Sequence, residues 1–405
     1  MFVVAPLLVA LSEDLGVSIG QAGQLVTFAA VPSALLALVI GPICDTYGRR
    51  PTLVAGAALL GLASLGSALA PSYEMLAATR VLSGAGAAAM APATFAAVAD
   101  LFPYAQRGRI YGYITAANTV AMIAGVPAAT ILAALMSWRW AFAAVGLVTL
   151  SAVVLLLRLY PARSSELRVS PALRDPARRE GSESSKRNTE PQTKHPELPA
   201  RNFFVASYVP VLQAPTARAL LGSSFAMSVG SMAFQTYLGA FFIGRYGLST
   251  AELAPILGIG GIGVLIGAQL AGRLGDRIGY KRMMSVSVLV AAVLIVIQTF
   301  TTTTVQLATL LNFVTWVPMG MRFTSASTII SEAVPSARGT MNALNAAAFN
   351  AGTVLAAFLG GVIVESSGYE LLGLLTLAGA ATSAALVALF VVEVDTTESP
   401  RLTEV

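Results

Sequence analysis

Apolar runs of about twenty residues, cut by short polar breaks, succeed one another along this chain, and that is the length a helix needs to cross the hydrocarbon core of a bilayer. About eleven complete runs predict helices over 22–42, 53–70, 74–100, 110–135, 140–159, 217–243, 252–272, 284–301, 305–330, 340–364 and 371–393. Glycine and alanine recur inside them, as in Leu82-Ser83-Gly84-Ala85-Gly86-Ala87. Such residues let backbones approach closely where apolar side chains gain nothing by leaving lipid for protein. One break is of another kind: from about 161 to 200, charges, serine and proline crowd out apolar residues. It predicts a linker over 161–216 between one helical bundle at 1–160 and a second at 217–394, with a polar tail at 395–405. Within the linker, Phe203, Phe204, Val205, Tyr208 and Val211 give the piece from Asn202 to Leu212 an apolar side, so it is expected to lie along the membrane interface.

Lysine and arginine gather on alternate loops: Arg49 and Arg50, Arg107 and Arg109, the stretch from Arg158 to Arg218, Arg273 to Arg282, then Arg338 and Arg401. The other loops carry Arg139 and Arg245. Short basic loops stay in the cytoplasm, so the linker and tail are expected there, in a multi-pass protein of the cell membrane. The helix at 22–42 then runs inward, and the stub from Met1 to Leu11 has to be the outward half of a preceding helix. A charged amino group at mid-membrane is costly, so the expected design is twelve helices with the numbering opening inside the first. No basic n-region or small-residue cleavage site marks the stub as a signal peptide.

Composition removes several classes. Hydrophobic residues make up 56% of the 405 and charged residues 11%, with a mean hydropathy of +0.74, which excludes a set of soluble domains. A net charge of +5 would suggest nucleic acid in a soluble chain; here the charges set topology, and the expected partner is the lipid bilayer, not nucleic acid. One cysteine leaves no disulfide framework and one histidine no metal cluster, so no metal and no cofactor is expected. The helical glycines follow no strand and no Walker lysine accompanies them, so ATP-driven transport is unsupported. An intramembrane enzyme needs a constellation of histidines, aspartates or serine and lysine at depth, and a sensor needs an ordered output domain; the sequence displays neither, so no enzyme is expected.

Two halves resemble each other at a fixed offset, the mark of an internal repeat. Gly41-Pro-Ile-Cys-Asp45-Thr-Tyr-Gly48-Arg49-Arg50 returns 231 residues later as Gly272-Arg-Leu-Gly-Asp276-Arg-Ile-Gly279-Tyr-Lys281-Arg282, and Arg107-Gly108 returns at the same distance as Arg338-Gly339. With these motifs the chain resembles the major facilitator superfamily over nearly its whole length. Its loop motif G-x-L-x-D-x-x-G-R-K/R is present with Ile43 for leucine, and Arg80-Val-Leu-Ser-Gly84-Ala-Gly86 is similar to the family's helix-4 motif. Gly125-Val-Pro127 matches part of the helix-5 motif of its antiporters, and with Ser137-Trp138-Arg139-Trp140 is most similar to the arabinose-efflux-like branch of the drug:proton antiporters. The resemblance implies an all-α membrane protein of two six-helix bundles that rock about a central site.

An aspartate just past an inward helix can accept hydrogen bonds from the free amides at another helix's N-terminus. Asp45 is therefore expected to cap the helix starting near Thr340, and Asp276 the one near Ile110, as a latch between halves. The resemblance implies the same latch, with Arg49 paired to Asp100 and Glu332 serving the second half; the plainer reading is loop charges that set topology alone. Arg80, by resemblance, lines the cavity and bonds the first helix or its proton carrier, or else snorkels outward. Arg322 is open between cavity and interface. Asn118, Gln235, Tyr237, Gln269, Asn312, Trp316, Asn345 and Asn350 are the candidate lining of a mildly polar, uncharged site, though each alone also reads as a helix–helix hydrogen bond. The function expected is export of a small molecule, such as a sugar, a nucleoside-like metabolite or a drug, by a monomer exchanging it for protons. A facilitator or proton-linked uptake symporter is the alternative on the same fold.

Overall fold

The computed structural model describes residues 3–102, 104–160, 208–301, 303–334 and 337–391, less the side chains of several helix residues among them. Over these residues the chain is helical, with no strand. A 3₁₀ turn at Ala5–Leu7 leads into α1 (Leu8–Leu15), then α2 (Ile19–Ala37), α3 (Ile40–Tyr47), α4 (Arg49–Ala68), α5 (Tyr73–Leu101), α6 (Tyr104–Val120), α7 (Val126–Leu135) and α8 (Trp138–Leu159). Past the linker come α9 (Pro215–Tyr246), α10 (Thr250–Ile278), α11 (Tyr280–Thr301), α12 (Val305–Ala333), α13 (Arg338–Ser367) and α14 (Glu370–Phe390). Ten helices or joined helices are long and apolar enough to span a membrane; α12, at 29 residues, has the length, but a polar stripe through Asn312, Thr315, Arg322 and Ser325 lowers its hydropathy.

Two expected helices are interrupted, each by a proline. The run expected at 22–42 stops at Ala37, turns at Leu38 and Val39, and resumes as α3. Proline has no N–H, so residue 42 cannot serve the Leu38 carbonyl four residues back, and the ladder opens there. In the run expected at 110–135, Pro127 leaves the Ile123 carbonyl without its donor, and Ala121–Gly125 widens into a π-turn in which the Val126 N–H bonds the Ala121 carbonyl. That helix also starts at Tyr104, earlier than expected, so Ile110 is not its N-terminus. The Asp276 cap expected near Ile110 therefore has no free amides to meet at that position.

The first bundle packs α2, α4, α5 and α8 together, and the second packs α9 to α14. They meet along two main seams, α2 against α13 and α7 against α10, and where the turn at Ala5–Leu7 packs on α9. The repeat extends to the caps. Ser18 and Gln21 form a capping box at the start of α2, and Ser249 and Glu252 form another at the start of α10, 231 residues on. The turns before them hold Gly16 (φ 65°) and Gly247 (φ 66°) at the same offset. Asp14 pairs with Arg139 at 2.6 Å, and the equivalent positions, Arg245 and Glu370, pair at 2.8 Å with the signs exchanged. Both bridges lie at the end of the bundles opposite the basic loops.

Candidate functional site

At the basic end, the two loop-motif glycines share a conformation. Gly48 (φ 92°) closes α3 and Gly279 (φ 85°) closes α10, in a region where a Cβ is strained, so the motif needs glycine at both. Arg49 folds back and donates to the Cys44 carbonyl (2.8 Å), which also accepts from the Gly48 N–H (3.0 Å). It thereby seals the C-terminus of α3. Arg50 donates to the Leu157 carbonyl (2.7 Å), fixing the last turn of α8. Both arginines thus satisfy carbonyls at helix ends within the first bundle, where the dipole favours a cation. Cys44 is buried among Leu53, Ala93 and Ala97. Gly272 has open space around it, Lys281 is half-buried, and Arg282 and Glu332 are exposed. The side chains of Asp45, Asp100 and Asp276, and the surroundings of Gly41, lie outside the described residues, so the Asp45 cap and the Arg49–Asp100 pair stay expectations.

Arg80 is 6% exposed and donates to the Ser67 hydroxyl at 2.5 Å, while its guanidinium stacks 4.6 Å from the Phe142 ring centre. Its Nε has no hydrogen-bond partner. The group borders a cavity of about 110 Å³ that Ser33, Ser64 and Ser83 also line. It therefore borders a space inside the first bundle and does not snorkel to the outer interface. Arg322 is 2% exposed with Nε and Nη2 unpartnered, on the α12 face that carries Met319 and Ala326, both core residues of the second bundle. It is buried inside the second bundle and does not snorkel to the interface.

The candidate lining divides. Asn118 and Gln269 are exposed, and Gln235 is half-buried. Asn312 is buried and donates to the Ile256 carbonyl of α10 (3.3 Å), and Asn345 accepts from Ser224 of α9 (2.6 Å). Both join helices within the second bundle. Trp316 packs across Gly260 and Gly263 of α10. Tyr237, 0% exposed, is a wedge and not a wall of an open site, donating to the carbonyls of Ala357 (3.1 Å) and Gly20 (3.4 Å). The antiporter-like Gly125 is exposed within the π-turn, and Pro127 packs on Gly258 of the other bundle.

Sequence reasoning missed the seam that Tyr237 fills. Gly20 and Gly23 of α2 face Gly360, Gly361 and Ala357 of α13, and Ser18 donates to Glu365. Deeper along it, Thr27 donates to the Val354 carbonyl (3.5 Å) and Asn350 to Ser33 (3.4 Å). The second seam has the same character: Gly258 and Gly261 of α10 take the backbone of Ile123. A glycine has no Cβ, so these backbones approach where any other residue would hold them apart. The cross-bundle hydrogen bonds named here lie from the end opposite the basic loops to mid-seam. Gly-x-Ser-x-x-Gln/Glu, recurring at 231, was the signal that could have located the seam's mouth.

The Major Facilitator Superfamily model matches residues 1–271 and 256–404. An MFS-type transporter of Bacillus subtilis, YceJ, is 25% identical over 90% of this chain and 86% of its own. Multidrug resistance protein 2 of the same organism is 24% identical over 85% of this chain and 80% of its own. The crystal structure of a D-xylose-proton symporter superposes with a TM-score of 0.75 at 17% identity, over 96% of this chain and 94% of that one. The chain belongs to the Major Facilitator Superfamily, and it is an integral membrane transporter and not an enzyme.

Proposed function

We propose that this transporter exports a small, largely uncharged amphiphile across the cell membrane by alternating access, in exchange for protons, and works as a monomer. The basic loops, the linker and the C-terminal tail face the cytoplasm, as the positive-inside rule requires of Arg49, Arg109, Lys281 and Arg282. The observation that carries the reading is the seam. Its hydrogen bonds, from Ser18–Glu365 to Ser33–Asn350, hold the bundles together toward the outer end, the disposition of a carrier with its outer gate shut and its cytoplasmic side receiving cargo.

The cargo class follows from the residues left accessible. Asn118, Gln235 and Gln269 offer hydrogen bonds without charge, which suits a neutral amphiphile better than an ion. A multidrug resistance protein among the relatives agrees with that class. The proton side rests on the drug:proton antiporter resemblance and on Arg80, a charge held at depth whose unpartnered Nε borders a cavity lined by three serine hydroxyls. The test is a proteoliposome with an imposed pH gradient, in which internal pH and uptake of a lipophilic fluorescent dye or a neutral aromatic antibiotic are followed together. Cargo-dependent proton movement, opposite in direction to the cargo, is expected. Cargo that equilibrates without moving protons would replace the antiporter with a facilitator, and protons moving along with cargo would make it a symporter.

A further inference from the structure

The break between α2 and α3 leaves a backbone acceptor open. The Leu38 carbonyl has lost its ladder donor because residue 42 is proline, and an acceptor left bare in a partly buried place is costly. A donor arrives from the other bundle: the Tyr208 hydroxyl lies 2.5 Å from that oxygen, from a residue 170 positions away. Tyr208 lies in a helical stretch, described over 208–213, that leads into α9. Three residues on, Val211 is fully buried in a cluster with Leu220, Met284, Ile330, Met341 and Val387, which spans five helices of the second bundle. The 208–213 helix is therefore anchored in one bundle and bonded to a break in the other, at the end where the bundles must part to admit cargo.

That break sets the direction of α3, which carries Cys44, Asp45 and the closing Gly48 of the loop motif. We propose that Tyr208 is a positioning residue of the cytoplasmic gate: its hydroxyl occupies the carbonyl that Pro42 leaves without a donor, tying the second bundle to the break that aims α3. The inference goes beyond the transport reading and does not depend on the cargo or on proton coupling.

Cys44 provides the readout, being the one cysteine of the chain and buried against α4 and α5. The full-length protein, reconstituted in liposomes, is labelled with a maleimide, and the rate of Cys44 modification is followed in four forms: native, Tyr208→Phe, Pro42→Ala, and the double variant. Gel filtration confirms that each is monodisperse. Phenylalanine removes only the hydroxyl, and alanine in place of Pro42 restores an N–H that closes the ladder onto Leu38. Tyr208→Phe is expected to raise the labelling rate about three- to tenfold in the native background, the equilibrium equivalent of one ordinary hydrogen bond, and to leave it about unchanged in the Pro42→Ala background. An unchanged rate in the native background would overturn the proposal. So would an equal increase in both backgrounds, because the hydroxyl would then be acting elsewhere than on the Leu38 carbonyl.

Discussion

Gly23 sits where the seam is tightest, and an alanine there tests whether the seam is the gate. A Cβ at 23 would overlap the Tyr237 hydroxyl and lie 2.7 Å from its Cε1. The ring cannot step aside. A Cβ-sized space is already missing on its far edge at Gly360, 2.7 Å from Cε2, and its hydroxyl is held by the carbonyls of Ala357 and Gly20. Overpacking of a closed core costs about 1–3 kcal/mol, and here the cost falls on the closed state alone, since the ring and α2 separate when the seam opens. The ratio of closed to open should then fall about five- to a hundred-and-fifty-fold. The assay is alkylation of Thr27→Cys, inside the seam, by a membrane-impermeant thiol reagent applied from the outer side, with Cys44→Ser removing the native thiol. Gly23→Ala should speed alkylation. Adding Tyr237→Leu, which deletes the clashing Cε1, Cζ and hydroxyl, should return the rate toward that of the parent. If the two substitutions merely add, or if Gly23→Ala changes nothing, Tyr237 is not the wedge and the seam is not the gate.

Other outcomes follow from the same geometry. Arg139 donates to Asp14 and holds its carboxyl below the usual carboxylate range, so the pair stabilises the fold above about pH 4, the unfolded carboxylate's pKa, and the contribution fades as pH falls through the depressed value. Asp14→Asn should lower Tm at pH 7 by an amount worth at most about 1 kcal/mol, since both side chains are over a third exposed, and a deficit that persisted undiminished in acid would contradict this. Arg245 stands in the last turn of α9 and Glu370 in the first of α14, each favoured by its helix dipole. Exchanging them, Arg245→Glu with Glu370→Arg, keeps the pair but opposes both dipoles, and should cost about 1–4 kcal/mol in thermal unfolding; an unchanged Tm would show that the dipoles are screened. Gly279→Ala, at φ 85°, should cost about 1–2 kcal/mol from left-handed strain, while Gly272→Ala, with open space around it, should be near neutral, and equal costs would refute the conformational reading. Arg80→Ala should abolish proton-coupled flux in the liposome assay while leaving the protein monodisperse, and normal flux would remove Arg80 from the mechanism.

By itself, the sequence determined the elements that depend on one stretch of chain. Bilayer thickness sets helix length, so the apolar runs located the spanning helices to within a few residues at most ends. The duplicated Gly-Asp-Gly pattern revealed the repeat, because two copies at one offset need no structure to be compared. Motif glycines were legible too, since a turn that requires positive φ demands glycine wherever the chain goes. Helix continuity was less legible: the prolines at 42 and 127 stand inside apolar runs, and hydropathy averages over them, although each removes one hydrogen bond from the ladder. What tertiary structure alone decided was partnership. Asn312, Asn345 and Asn350 look alike in sequence, yet the first two bond within the second bundle and the third reaches Ser33 of the first. Tyr237 could line a cavity or fill a seam, and which it does depends on Gly23 and Gly360, each far from it along the chain. In lipid every polar group needs a partner and every close approach needs a small residue, but which partner and which small residue are fixed only when the helices have been set side by side.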